Sequence, residues 1–346
     1  MQAERVDNED RHPNPWLRRA LIATVAVSAI SHLAVVGQTP FGDEFVVVQN
    51  VWHMVIERTI FPPHAIYPAL YSYMIAPALG LVASAMVALG IPGSFQDLSE
   101  LMSLRPLAVF WPARSVTLLC WGVTAWAVHR IARELTDSDE GALLALAGFA
   151  SVVGTLRYSG YALPDVPQMM FLTLALMFAL RLARGEDAPR NATWAGLLTG
   201  LAVATKYQAV AVVIPVLVAA WLGGAASERM GRVVRVTGMA ALAFVLGCPG
   251  WVLAPRHYWA GLSSVREHMA VGHIGQEGAP LLGQLELLVR ADGLLPALAV
   301  VAVIALIAGR RTRRDPALIV LMIAGGAVLL TASPARKQSL QFIFGL

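Results

Sequence analysis

The chain has 346 residues, 57% of them hydrophobic and 14% charged, with a formal net charge of +4. Soluble domains carry about 25% charged residues, so this composition excludes an ordinary soluble protein and points to a polytopic membrane protein. The cations fall in short clusters between apolar runs instead of along one continuous face, which argues against a nucleic-acid partner.

Polar residues 1–17 lead into Arg18 and Arg19 and then an apolar run that ends at Gly37. This reads as a signal anchor more than a cleaved signal peptide, because many apolar runs follow and the first is long enough to cross a bilayer. Further runs of spanning character lie at 65–90, 112–129, 140–157, 166–183, 234–254, 293–309 and 316–332. Between 193 and 222 an apolar stretch is interrupted by Thr205, Lys206 and Tyr207. Its halves are short for full spans at about 1.5 Å per residue, so they predict a helical pair bent around Lys206. Cys120 and Cys248 fall inside apolar runs and read as buried free thiols. The expected fold class is an all-α polytopic membrane protein of about nine spans. Its Arg, Ala and Val bias suggests a bacterial source.

Orientation follows from arginine. Clusters occur at the N-terminus, at Arg130 and Arg133, at Arg181, Arg184 and Arg190, at Arg229, Arg232 and Arg235, and at Arg310, Arg311, Arg313 and Arg314. The positive-inside rule makes these cytoplasmic. If every apolar run crossed once, all clusters after the first would be inverted; if 65–90 does not cross, all fall on one side. With Pro68, Pro77, Gly80 and Gly90, segment 65–90 suits an interfacial or re-entrant helix pair inside an outer loop running from 38 to 111. Residues 1–17 are then a cytoplasmic tail, 18–222 a membrane module, and 223–346 a C-terminal membrane part with an outer loop at 255–292.

That topology brings ionisable residues to one outer face: Asp43 and Glu44, the segment Arg157 to Asp165, Lys206, and the 255–292 loop with His268 and His273. Each has a plain alternative. Asp43 and Glu44 suit a solvated loop cap, Asp165 an N-cap for the helix that follows, and Lys206 and Arg114 snorkelling cations. The histidines read as loop residues before metal ligands. CxxC, HExxH, Walker A and GxSxG patterns do not occur, which removes those chemistries.

GDE after the first span, IYPALYSYM, WPARSV, RYSGYALPDVPQMMFLTLAL and GLLTGLAVATKYQAVAVVIP follow one another in order. Together they resemble the GT-C membrane glycosyltransferases, in the protein-mannosyltransferase-like (glycosyltransferase family 39-like) branch that includes aminoarabinose transferases, over roughly residues 18–222. The resemblance implies a GT-C-type helical bundle with interfacial helices in its first outer loop. It implies transfer of a sugar from a polyprenyl-phosphate donor to an acceptor hydroxyl of an envelope lipid, glycan or protein. The setting is the outer face of a bacterial inner membrane, with the N-terminus cytoplasmic and no nucleic acid involved. Asp43 would be the general base, Glu44 its support, and Asp165 would shape the site or hold a divalent metal, the one cofactor left open. Lys206 would meet the lipid-linked phosphate, with Arg114, Arg157 and His64 as further substrate contacts. Family members usually continue beyond the point where this sequence stops, so a short or truncated member is expected. The competing expectation is a transporter or flippase, which would place its ionisable residues at midplane helix breaks.

Overall fold

The computed structural model describes residues 15–39, 42–90, 106–271 and 315–332. Every regular element among them is helical. In chain order these are α1 (Pro15–Val35), α2 (Gly42–Ile56), α3 (Leu70–Ala88), α4 (Pro106–Thr136), α5 (Asp139–Ala150), α6 (Val153–Ser159), α7 (Asp165–Ala183) and α8 (Ala188–Thr205). After a 3-10 turn at Tyr207–Val212 come α9 (Val213–Leu222), α10 (Arg229–Gly247), α11 (Gly250–Leu253), α12 (Pro255–Val271) and α13 (Pro316–Ala332). The expectations for 293–309 and for His273 lie outside the described residues, as does the side chain of His268.

Helix follows from the solvent. A backbone that crosses hydrocarbon must satisfy its own N–H and C=O groups, and α-helix does so within one segment. Helices α1, α3 and α7 and the stretch Ala226–Gly247 are long and apolar enough to cross a membrane. The run expected at 140–157 is a bent pair, α5 and α6, turned by 64°. Hydroxyls serve the carbonyls freed at that bend: Ser28 Oγ donates to Ala150 O and Thr155 Oγ1 to Val152 O. Among the described helices, α7 is the most enclosed, with residues such as Ala175, Ala179 and Leu182 free of solvent contact. Its neighbour α8 lies very close to α10, because a Cβ at Gly196 or Gly200 would overlap the Val236 or Ala240 carbonyl. Small residues at that four-residue spacing let two backbones approach in a membrane.

The two ends of the bundle differ in chemistry. At one end Arg181 pairs with Glu134 at 2.5 Å and Arg184 with Asp315 at 2.7 Å, joining α4, α7 and the start of α13. Nearby, Arg232 donates to the carbonyls of Ala220 and Ala225, where α9 stops. Arg181, Arg184 and Arg232, from two of the clusters expected from sequence, therefore meet at one end. At the opposite end Arg114, near the start of α4, donates to Val36 O and Gln38 O where α1 finishes. Helix α4 thus starts at the end of the bundle where α1 stops, and α2 and α3 lie between them in sequence.

Four expectations need correction. Asp43 and Glu44 are not in an extended loop but in the first turn of α2. Segment 65–90 is one helix, not a pair, with Pro77 inside it. Residues 255–271 form α12, not a loop. Asp165 does not cap: Pro164 holds the N-cap position and no side chain caps α7.

Candidate active site

Glu44 and Arg114 sit at the heart of the polar end, both fully buried. Arg114 Nε donates to Glu44 Oε1 at 2.9 Å and Nη2 to Oε2 at 2.8 Å, a bidentate fork. The remaining Nη1 takes the Val36 and Gln38 carbonyls, and the Ala162 amide donates to Glu44 Oε1 at 2.6 Å. Two desolvated charges of this kind hold only when each lone pair and proton has a partner, and here four chain segments supply them. The pair joins the end of α1, α2, α4 and the turn before α7. Sequence reading set Glu44 beside the reacting groups and Arg114 on the substrate. Their geometry ties them to each other and to the backbone of the end of α1 and of the turn before α7.

Asp43, on the next residue of the same helical turn, is partly exposed. Alternating along a helix by about 100° per residue sends adjacent side chains to different faces. The inward face takes Glu44, and Asp43 looks to the open side. Its carboxylate is an electrostatic neighbour of the Tyr67 phenol. Burial first, then the Asp165 and Asp43 carboxylates, push that phenol well above its ordinary value. Tyr67 therefore stays protonated.

Helix α8 ends at Thr205, and Lys206 adopts extended backbone (φ −154°, ψ 128°) before the 3-10 turn. The break expected around Lys206 is present. Its ammonium reaches Asp165 Oδ1 at 2.6 Å, across the gap between α8 and the first turn of α7. It also lies 5.8 Å from the Tyr67 ring centroid, within cation–π range. Tyr67, Lys206 and Asp165 thus form one group of contacts drawn from the 57–69 loop, the α8 break and α7, and the Asp43 carboxylate on α2 acts electrostatically on the Tyr67 phenol.

That loop is held on several sides. The Asn50 side chain bonds both backbone groups of His64, each at 3.1 Å, and Tyr73 donates to Ile60 O at 2.7 Å. From the C-terminal side, His257 on α12 bonds Pro62 O at 2.8 Å and Cys248 Sγ accepts from Ala69 N. His64 and Arg157 have exposed side chains, and their backbones serve as anchors, Arg157 O accepting from Gln38. Cys120 and Cys248 are buried free thiols, as their place in apolar runs predicted.

Among the described residues, groups of three or more His, Cys, Asp or Glu side chains do not gather at a metal-binding spacing, and Asp165 already faces a lysine. Tyr67 and Asn50 escaped the sequence reading. Tyr67 lies inside the quoted IYPALYSYM stretch; the available signal was an aromatic beside Pro68, which alone does not announce a place beside the Lys206 ammonium.

Residues 102–252 match the family model of dolichyl-phosphate-mannose-protein mannosyltransferase. This segment contains Arg114, Asp165 and Lys206 and stops short of Asp43. Among solved structures, the fold is similar to ArnT from Cupriavidus metallidurans bound to undecaprenyl phosphate. The TM-score is 0.62 at 15% identity, covering 94% of this chain and 57% of that one. The apo state of the same protein gives 0.57 at 13% identity, over 95% and 58%. The chain therefore spans under two thirds of the length of the structures it resembles. The curated proteins give no match. The resemblance read from the sequence is thus met by a family match over residues 102–252 and by a helical fold similar to that of ArnT.

Proposed function

We propose, from a mannosyltransferase-like segment on an ArnT-like fold, that the chain is a membrane glycosyltransferase. It moves a sugar from a polyprenyl-phosphate donor to an acceptor hydroxyl on the outer face of the inner membrane. The observation that supports the reading is the Lys206–Asp165 pair beside the Tyr67 ring, with the Asp43 carboxylate as a neighbour, at the end of the bundle opposite the arginines. A carboxylate and a cation in one neighbourhood are what the transfer requires.

The chemistry needs three things. An acceptor hydroxyl attacks the anomeric carbon while its proton passes to a carboxylate, and Asp43 is that base. The bond from the anomeric carbon to the phosphate oxygen breaks, and the departing polyprenyl phosphate takes the electron pair. Lys206 meets the developing charge, exchanging its Asp165 contact for the phosphate. The isoprenoid stays in lipid throughout, because the site lies where helices end. Asp165 holds Lys206 in register before the donor arrives. The purified protein in liposomes, given a labelled polyprenyl-phosphate sugar and an envelope extract as acceptor, should release polyprenyl phosphate together with a labelled acceptor. Labelled lipid that changes leaflet with its sugar still attached would support the flippase instead.

The outer-face assignment requires that α3 not cross. Its 19 residues are apolar enough to do so, but Tyr71, Ile75 and Leu79 pack against Phe110 and Ala113 in the first turns of α4. A cysteine at the exposed Leu89 should react with an impermeant thiol reagent in intact cells. Reaction only after lysis would overturn the topology and the placement of the site.

A further inference from the structure

We propose that Gln168 is a phosphate contact: its side-chain amide donates an N–H to a phosphate oxygen of the lipid-linked sugar, from one helical turn below the Lys206–Asp165 pair. This rests on the polyprenyl-phosphate reading given above.

The placement follows from one face of α7. Asp165, in the first turn, bonds Lys206 at the α8 break. Further along, Leu172, Leu176 and Ala179 belong to one buried cluster with Ala202 of α8 and with Ala209 and Val212 of the 3-10 turn. At about 100° per residue, Asp165, Gln168, Leu172, Leu176 and Ala179 fall within about 80° of arc. Gln168 therefore looks toward the same break, about 4.5 Å deeper in the bundle than Asp165 at about 1.5 Å of rise per residue. Its neighbours along the helix, Val166, Met169 and Met170, are apolar and buried. Gln168 itself is only 3% exposed, yet its Nε2 has no hydrogen-bond partner among the described residues. A buried N–H left unsatisfied is costly, and an apolar side chain of the same length would remove that cost. An amide kept at this level is explained by an acceptor that arrives with the substrate. The depth selects the phosphate: the isoprenoid stays in lipid and the sugar lies toward water, so the phosphate comes between them. The two groups then divide the task. Lys206 supplies charge and needs Asp165 to offset it beforehand, whereas a neutral amide needs no counter-charge and adds a directed hydrogen bond to the anion.

Gln168→Met keeps the length and removes the N–H. The purified full chain in detergent is titrated with a polyprenyl phosphate and, separately, with the same polyprenol lacking the phosphate; its melting temperature is read without lipid. The Kd for the phosphate should rise about 10- to 100-fold, the scale of a hydrogen bond to a charged group. The Kd for the polyprenol should stay parental, and the melting temperature should be parental or higher because an unsatisfied donor has gone. If methionine is not tolerated, Gln168→Leu decides by the same criteria. Equal loss of both lipids would mean a loosened bundle and would overturn the contact. A parent chain that prefers the phosphate, with that preference intact in the variant, would overturn the contact alone. A parent chain that binds the phosphate no better than the polyprenol would overturn the functional reading and the contact together.

Discussion

Asp43→Asn is expected to lower sugar transfer by about 10²- to 10⁴-fold, the usual contribution of a general base. Donor binding and thermal stability should remain at parental values. Asparagine keeps the shape of aspartate and can still hydrogen-bond, so the change isolates the lost proton acceptor. The neighbouring Glu44→Gln should show the opposite signature. Both oxygens of Glu44 are committed to Arg114 and the Ala162 amide, and neutralising it leaves a buried guanidinium without its counter-charge. Breaking a buried pair costs about 3–5 kcal/mol, so Glu44→Gln should appear as a lower melting temperature and less folded protein. Comparing rate per folded molecule across both variants separates base from strut. Parental transfer in Asp43→Asn would remove it from the chemistry and leave Asp43 as a solvated residue on the first turn of α2.

Lys206→Ala is expected to raise the donor KM by about 10- to 100-fold, as loss of a charge-assisted phosphate contact would, while Lys206→Arg retains part of the donor use. One complication lies within the structure itself. Lys206 also neutralises Asp165, with side chains only 4% and 12% exposed, so removing the lysine alone strands a nearly buried carboxylate. The double variant Lys206→Ala with Asp165→Asn removes both charges and resolves the two effects. If donor use stays impaired in the double variant while stability recovers, the lysine meets the phosphate. If donor use recovers as well, the lysine serves only to offset Asp165, and the phosphate contact must be sought elsewhere.

The sequence was informative wherever one-dimensional physics decides. Runs of about 20 apolar residues predict helices because lipid offers no hydrogen bonds, and the structure has them at α1, α7 and α10. Arginine placement predicted which residues share an end, and the Arg181–Glu134 and Arg184–Asp315 pairs show α4, α7 and α13 meeting there. A lysine inside an apolar stretch predicted a helix break, because a charge is costly at membrane depth, and the chain does leave helical geometry at Lys206.

What the sequence did not decide was which of two adjacent carboxylates is open. Asp43 and Glu44 have the same chemistry and look alike in the string. Their surroundings diverge only because α2 rotates one side chain toward Arg114, 70 residues away in sequence, and leaves the other partly exposed. Nor does the string show that Asp165 faces Lys206, 41 residues on, instead of capping its own helix. Tyr67 reads as one aromatic among several until folding sets it between Asp43 and Lys206. Composition and periodicity are summed along the chain, so they determined class, helices and ends. A buried ion pair or an oriented carboxylate depends on which distant partner is within about 3 Å, and only the tertiary structure brings those partners together.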